Sequence, residues 1–173
     1  MGSGEIIECQ RCNYIKPDGV QCSRNTCLYP RMCWQHSIKT YPFKIKNSTI
    51  PGAGKGLYST SVIKKHELMH KKAGYYGGKV VSAAVYKNSK NTYGVSLSGH
   101  KGIMDGASTQ SGLLRRANTK KHGQGGNNAK LIRVNQTASR AERIGAQATK
   151  RIPAGSEIFM SYGAGYWSDK KKK

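Results

Sequence analysis

A chain of 173 residues makes one ordinary domain with a small appendage and is too short for two domains of equal size. Its 30 lysines and arginines against 8 aspartates and glutamates give a formal charge of +22, which draws a protein to polyanions and makes nucleic acid or a nucleosome the expected partner class. No run approaches the roughly 18 apolar residues of a membrane span and no charged-then-apolar leader opens the chain, so neither a membrane nor secretion is expected, and acids are too scarce for a hydrolase that flanks its bond with two carboxylates.

Residues 1–8 read as a tag or an unstructured N-terminus. All 5 cysteines then fall between Cys9 and Cys33, in the order Cys9, Cys12, Cys22, Cys27, Cys33, followed by His36. The closing Cys-x-x-His lets a thiolate and an imidazole reach one tetrahedral zinc from a tight turn. Cys12, Cys22, Cys33 and His36 resemble the ligands of a small knuckle, with one cysteine on each side of a glycine turn at Gly19 and the Cys-x-x-His to close. Cys9 and Cys27 stand in reserve. An odd cysteine count weighs against a disulfide pair. The zinc-binding segment spans residues 9–37, and so short a segment would draw most of its folding free energy from the metal.

Tyr41-Pro42-Phe43 marks a boundary, and Phe43 to Lys46 alternates as a strand. Next come Gly52-Ala53-Gly54-Lys55-Gly56-Leu57, with three glycines in five positions, where backbone can approach a ligand closely. The stretch lacks the Gly-Lys-Ser/Thr ending of a phosphate loop. Strands are expected at residues 67–71 and 79–82, around Tyr75-Tyr76-Gly77-Gly78, and again at 92–97 and 102–105, joined across Gly99. Asp105 reads as an organiser of structure.

Arg115-Arg116-Ala117-Asn118-Thr119 opens a basic stretch that runs on to Asn127-Asn128. Residues 129–134 and 143–148 read as strands. Glu157-Ile158-Phe159-Met160-Ser161-Tyr162-Gly163 alternates apolar and polar residues into a Tyr-Gly break, the kind of strand end at which a site begins. Residues 168–173 form a polybasic tail. The periodicity supports a β-rich domain of short strands with glycine turns.

Over residues 43–167 these motifs resemble, in order and approximate spacing, those of the SET-domain protein-lysine methyltransferases, and the compact form is similar to those of large DNA viruses and protists. The resemblance implies a mainly β fold of short antiparallel strands with a C-terminal pseudoknot, preceded by the zinc segment. It implies an S-adenosylmethionine site made by Gly54, Lys55, Gly56, Tyr76, Arg115, Asn118, Thr119, Tyr162 and Trp167. Tyr93, Tyr162 and Tyr166 would line a substrate-lysine channel, and Tyr162 would be the catalytic tyrosine. Where most members have Phe and His, this chain has Arg116 and Thr119.

The function so implied is S-adenosylmethionine-dependent methylation of a lysine on a histone or nucleosome, with structural zinc, nucleic acid held on the basic surface and a homodimer left open. The expected location is nuclear or chromatin-associated, or a host nucleus or virion for a viral member. The rival is a zinc-containing nucleic-acid or chromatin-binding protein with an inactive SET-like scaffold, which Arg116 and Thr119 favour and Tyr162 opposes.

Overall fold

The computed structural model describes residues 10–26, 28, 31–76, 79–97, 102–107, 112–120, 126–134 and 143–162. Cys9, Cys27, Tyr166 and Trp167, with the rest of the tail, lie outside these residues.

The cysteine segment is a hairpin followed by a helix. Strands β1 (Gln10–Arg11) and β2 (Asn25–Thr26) pair antiparallel, and backbone bonds Cys12 N to Arg24 O, Cys22 N to Tyr14 O and Lys16 N to Val20 O continue the ladder to a turn at Gly19. Gly19 sits at φ +78°, backbone that glycine adopts without the steric cost of a side chain. Cross-strand bonds fix the register: Arg11 donates to the carbonyls of Gln21 and Cys22, and Gln21 donates to that of Cys12. Helix α1 (Trp34–Thr40) starts directly after Cys33. Its Ile38, with Tyr41 just beyond it, packs against the main core, so the helix ties the segment to the larger domain.

Three small sheets build that domain. In the first, β3 (Phe43–Asn47) and β10 (Glu157–Ile158) flank β4 (Lys55–Ser59), all antiparallel. In the second, β7 (Ile103–Asp105) lies between β5 (Lys79–Val81) and β6 (Gly94–Ser96). In the third, β8 (Ala129–Val134) pairs antiparallel with β9 (Arg143–Ala148) and parallel with β11 (Met160–Ser161). The mainly β architecture and its short strands are as expected, and the strands at 129–134 and 143–148 have the bounds read from the sequence. A second parallel contact, between Asn118 and Phe159, holds the segment before the basic loop against the last strand.

Leu57, Leu114, Ile152, Ile158 and Met160 are fully buried where the sheets meet. Burying each such side chain contributes about 1.5–3 kcal/mol, enough to fix short strands that could not stand alone.

Two readings need correction. Residues 67–71 are not a strand: Leu68 makes a single bridge to Gln147, and the chain then turns into helix α2 (His70–Ala73). Met69 is buried and its N–H reaches the carbonyl of Ala146, while the Ala148 N–H reaches the carbonyl of Glu67 and the Ala148 carbonyl accepts from His66, so a few bonds to β9 hold this stretch before it coils. The last strand does not alternate either. Glu157, Ile158, Phe159 and Met160 are all buried, because this segment pairs first with β4 and then with β8 and so passes between two sheets. A further helix, α3 (Ala83–Ser89), is capped by Ser82, whose hydroxyl accepts the N–H of Val85.

Candidate functional site

A cavity of about 350 Å³ opens between the glycine loop, the Arg115–Thr119 segment and the end of the last strand. The loop supplies Ile50 to Ala53 and Lys55. Its shape follows from Pro51-Gly52: proline presets the first turn position, glycine at φ +74° takes the second, and the N–H of Ala53 closes the turn on the carbonyl of Ile50 at 3.1 Å. Gly54, at φ +70°, returns the chain so that its carbonyl accepts from Ser48. Gly54 and Gly56 shape the loop from behind the cavity and do not line it.

Opposite the loop stand Arg115, Arg116, Asn118 and Thr119, with Thr92 and Tyr93 to one side and Tyr162 at the base of the final strand. The backbone of Asn118 is fixed by its carbonyl, which accepts the N–H of Met160 at 2.7 Å. Its side-chain amide donates to the Lys55 carbonyl at 3.1 Å and to Glu157 at 3.3 Å, joining loop, segment and strand. Asn128 does similar work one layer deeper: its amide donates to the Glu157 carbonyl while its oxygen accepts the Phe159 N–H, both at 2.9 Å. Both asparagines are therefore structural braces of the strand that ends in Tyr162.

Glu157 is the residue that sequence reading passed over. Its buried carboxylate accepts from Ser48 Oγ at 2.6 Å, from Thr49 N–H and Oγ1 at 2.7 Å each, from Tyr58 Oη at 3.1 Å and from Asn118. Burial pushes its pKa up, but the donors from Ser48, Thr49 and Asn118 outweigh burial and hold it below the ordinary carboxylate value. The glycine loop is thus hung on one anion. Only the scarcity of acids in so basic a chain pointed to it.

Arg115 is 8% exposed, and Arg116, which stands where most members have Phe, is only half-buried on the cavity wall. The Arg115 guanidinium lies 4.9 Å from the Tyr93 ring centre and donates through Nη2 to the Ala107 carbonyl at 2.8 Å, while its buried Nε has no hydrogen-bond partner. Burial, then the charge of Arg116, lowers its pKa. Tyr76 stands behind this wall: its buried hydroxyl donates to the Tyr93 carbonyl at 2.6 Å, and it does not line the cavity. It braces the wall from behind. The Tyr162 hydroxyl donates to the Ala117 carbonyl at 2.6 Å and faces the cavity with Tyr93.

The described lining is cationic, with Lys55, Arg115 and Arg116 and no acidic side chain. Such a wall suits a ligand carboxylate, and the buried Arg115 Nε has a hydrogen bond left to give. Tyr93 and Tyr162 bring aromatic rings to the cavity, of the kind that suit a sulfonium. A cavity of this size lies at the lower end of the range for small-molecule sites, about 300–1,000 Å³. The donor set thus fits S-adenosylmethionine.

A second cluster gathers Cys12, Cys22, Cys33 and His36, with their ligand atoms all within 4.8 Å of one another. His36 Nδ1 lies 3.2 Å from Cys33 Sγ and 3.6 Å from Cys12 Sγ, separations that suit donors about 2.0–2.3 Å from one tetrahedral zinc. The three cysteines are buried, and the Tyr14 ring stacks on the His36 ring at 3.8 Å, fixing its plane. Burial and the nearby Lys39, Arg24 and Lys16 lower the His36 pKa, favouring the neutral imidazole that a metal requires. Burial raises Cys33, whereas the backbone N–H of Arg24 holds Cys22 low. These are the four residues chosen by their resemblance to a small knuckle, and the cluster they form is chemically fit for structural zinc.

The Gly54–Gly56 end of the glycine loop, the Asn118 brace and the Tyr162 strand end fall inside residues 54–163, which match the family model for the SET domain. The chain belongs to the SET-domain family. Among solved structures, this SET domain is similar to the methyltransferase domain of human PR domain-containing protein 2, with TM-score 0.58, 19% identity, and coverage of 75% of this chain and 84% of that one. It is also similar to a humanized mutant of the Chaetomium thermophilum Polycomb Repressive Complex 2 bound to the inhibitor GSK343, with TM-score 0.57, 22% identity and 72% of this chain covered. The same humanized complex bound to GSK126 gives TM-score 0.55, 23% identity and 72% coverage of this chain. The match spans only 15% of the Polycomb chain in each case. No curated protein matches the chain.

Proposed function

We propose that this protein is an S-adenosylmethionine-dependent protein-lysine N-methyltransferase acting on a histone or nucleosome, in the nucleus or on chromatin. The observation that carries the reading is the convergence of Tyr162, Asn118 and the glycine loop on one cavity, inside a chain of the SET family.

S-adenosylmethionine supplies an electrophilic sulfonium methyl group when bound. Lys55, Asn118, Thr119 and the Arg115 guanidinium would hold it, and Trp167 would close over it. Tyr93, Tyr162 and Tyr166 would enclose the substrate lysine. Removing an ammonium from water favours its neutral form, so the lysine proton leaves to solvent and the amine arrives with its lone pair free. No general base is required.

Orientation supplies the rest. Tyr162 is fixed through its hydroxyl to Ala117 and through the last strand to Asn118 and Asn128, so its oxygen is preorganised toward the reacting groups. Well-oriented reactions of this kind gain about 7–11 kcal/mol from prepaid entropy.

The test is methyl transfer from radiolabelled S-adenosylmethionine to nucleosomes, free histones and a non-histone basic protein in parallel. Label on one histone that disappears in Tyr162→Phe is the expected result. Failure to label any acceptor, together with no calorimetric binding of the cofactor, would reject the enzyme.

A further inference from the structure

Outside the cavity, the strongest unexplained feature is the charge on the cysteine module. The hairpin register sets Cys12, Tyr14 and Lys16 on one face of their arm, opposite Arg24, Cys22 and Val20 on the other. That face carries the metal ligands. Lys16 stands at its turn end and Arg24 at its base, and Lys39 lies one helical turn beyond His36. All three are exposed.

A cation is commonly matched by an acid, and among the described residues none pairs with these three. Asp18 is the sole acid between residues 10 and 40, and its carboxylate is occupied within its own turn by the Val20 N–H at 2.9 Å. Among the described residues the ion pair is Lys72 with Glu67, in another part of the fold. Arg11 differs from these three because its guanidinium is bound to backbone carbonyls. Even with three thiolates and an imidazole around a divalent metal, a complex of charge −1, the face stays positive. The module is also fixed: Ile38 and Tyr41 seat its helix on the SET core, so whatever it binds is held in a set orientation to the cavity.

We propose that Lys16, Arg24 and Lys39 form a docking face of the cysteine module for the phosphate backbone of duplex DNA. This localises the basic-surface contact to three side chains and adds a positioning role: DNA gripped by the module presents nearby protein to the cavity from one side. The proposal goes beyond the methyltransferase reading and is scored without turnover, so the two can fail separately.

The test uses the zinc-loaded full chain and a short fluorescent DNA duplex, with anisotropy read over a salt series. Each phosphate neutralised contributes about 0.9 to the slope of log affinity against log salt, so Lys16→Ala/Arg24→Ala/Lys39→Ala should lower that slope by about 2–3. The comparison variant Lys44→Ala/Lys87→Ala/Lys150→Ala removes the same charge from exposed positions on the SET domain and should lower it by less than about 1. Lys16→Glu alone, at the hairpin turn, guards against misfolding of the triple variant; it should retain zinc and lower the slope by about 1. A wild-type slope in the module variants, or equal losses in the two triple variants, would overturn the proposal.

Discussion

A Cβ atom placed on Gly56 would run into the carboxylate of Glu157, so the third glycine of the Gly-x-Gly-x-Gly loop exists to let an anion lie against the chain. That anion in turn accepts hydrogen bonds from the Ser48–Thr49 start of the same loop. The glycines have different tasks: Gly54 needs its positive φ but has open space where a side chain would project.

Gly56→Ala should therefore destabilise the fold by about 1–3 kcal/mol through forced displacement of Glu157. Gly54→Ala should cost about 1–2 kcal/mol, from backbone strain alone. Denaturant melts give the stabilities, and calorimetry with S-adenosylhomocysteine gives the functional part: Gly56→Ala should weaken binding more, because it disturbs the carboxylate that suspends the loop.

Glu157→Gln replaces an acceptor of several hydrogen bonds with an amide that points two N–H groups at donors. The loss should be about 2–3 kcal/mol at neutral pH. The pH dependence has a definite sign. The folded pKa lies below the ordinary 4.5, so this carboxylate contributes fully above about pH 4.5 and loses its contribution as pH falls through the folded value. Melts of both proteins across the acid range should show the wild-type advantage shrinking below pH 4.5; a constant difference would assign the stability elsewhere.

The contrast between what could and could not be read from the chain has a physical basis in these residues. Residues 129–134 and 143–148 were legible as strands because apolar alternation is local. The metal quartet was legible because ligand spacing is also local. Glu157 was not, since its partners Ser48 and Thr49 lie 109 and 108 residues away and no period encodes that distance. Helix α3 carried a signal in Ser82 before Ala83-Ala84, a capping residue ahead of strong helix formers. The fate of Tyr76, behind the cavity wall, depended on the Tyr93 carbonyl that its hydroxyl reaches.

The metal cluster predicts one zinc ion per chain by elemental analysis. Zinc binding to such small sites contributes about 10–16 kcal/mol to folding, so Cys12→Ser or a strong chelator should unfold the hairpin outright. Because Ile38 and Tyr41 anchor helix α1 to the SET core, the loss should also lower the melting temperature of the larger domain. A metal-free protein with an unchanged melt would reject the cluster as a structural site.

Tyr162→Phe separates the two roles of that hydroxyl. Its bond to the Ala117 carbonyl is an ordinary neutral hydrogen bond, worth about 0.5–1.5 kcal/mol net, so the variant should fold and should bind S-adenosylmethionine nearly as well as the wild type. Loss of a preorganised polar group at the reacting atoms costs about 100- to 1,000-fold in turnover in comparable cases, and a fall of that order in kcat is expected here. The ring remains to pack against Tyr93's side of the cavity, so KM for the protein acceptor should change little. A fall in cofactor affinity that matched the fall in kcat would instead make the hydroxyl a structural strut for Ala117. Unchanged turnover would remove Tyr162 from the chemistry altogether.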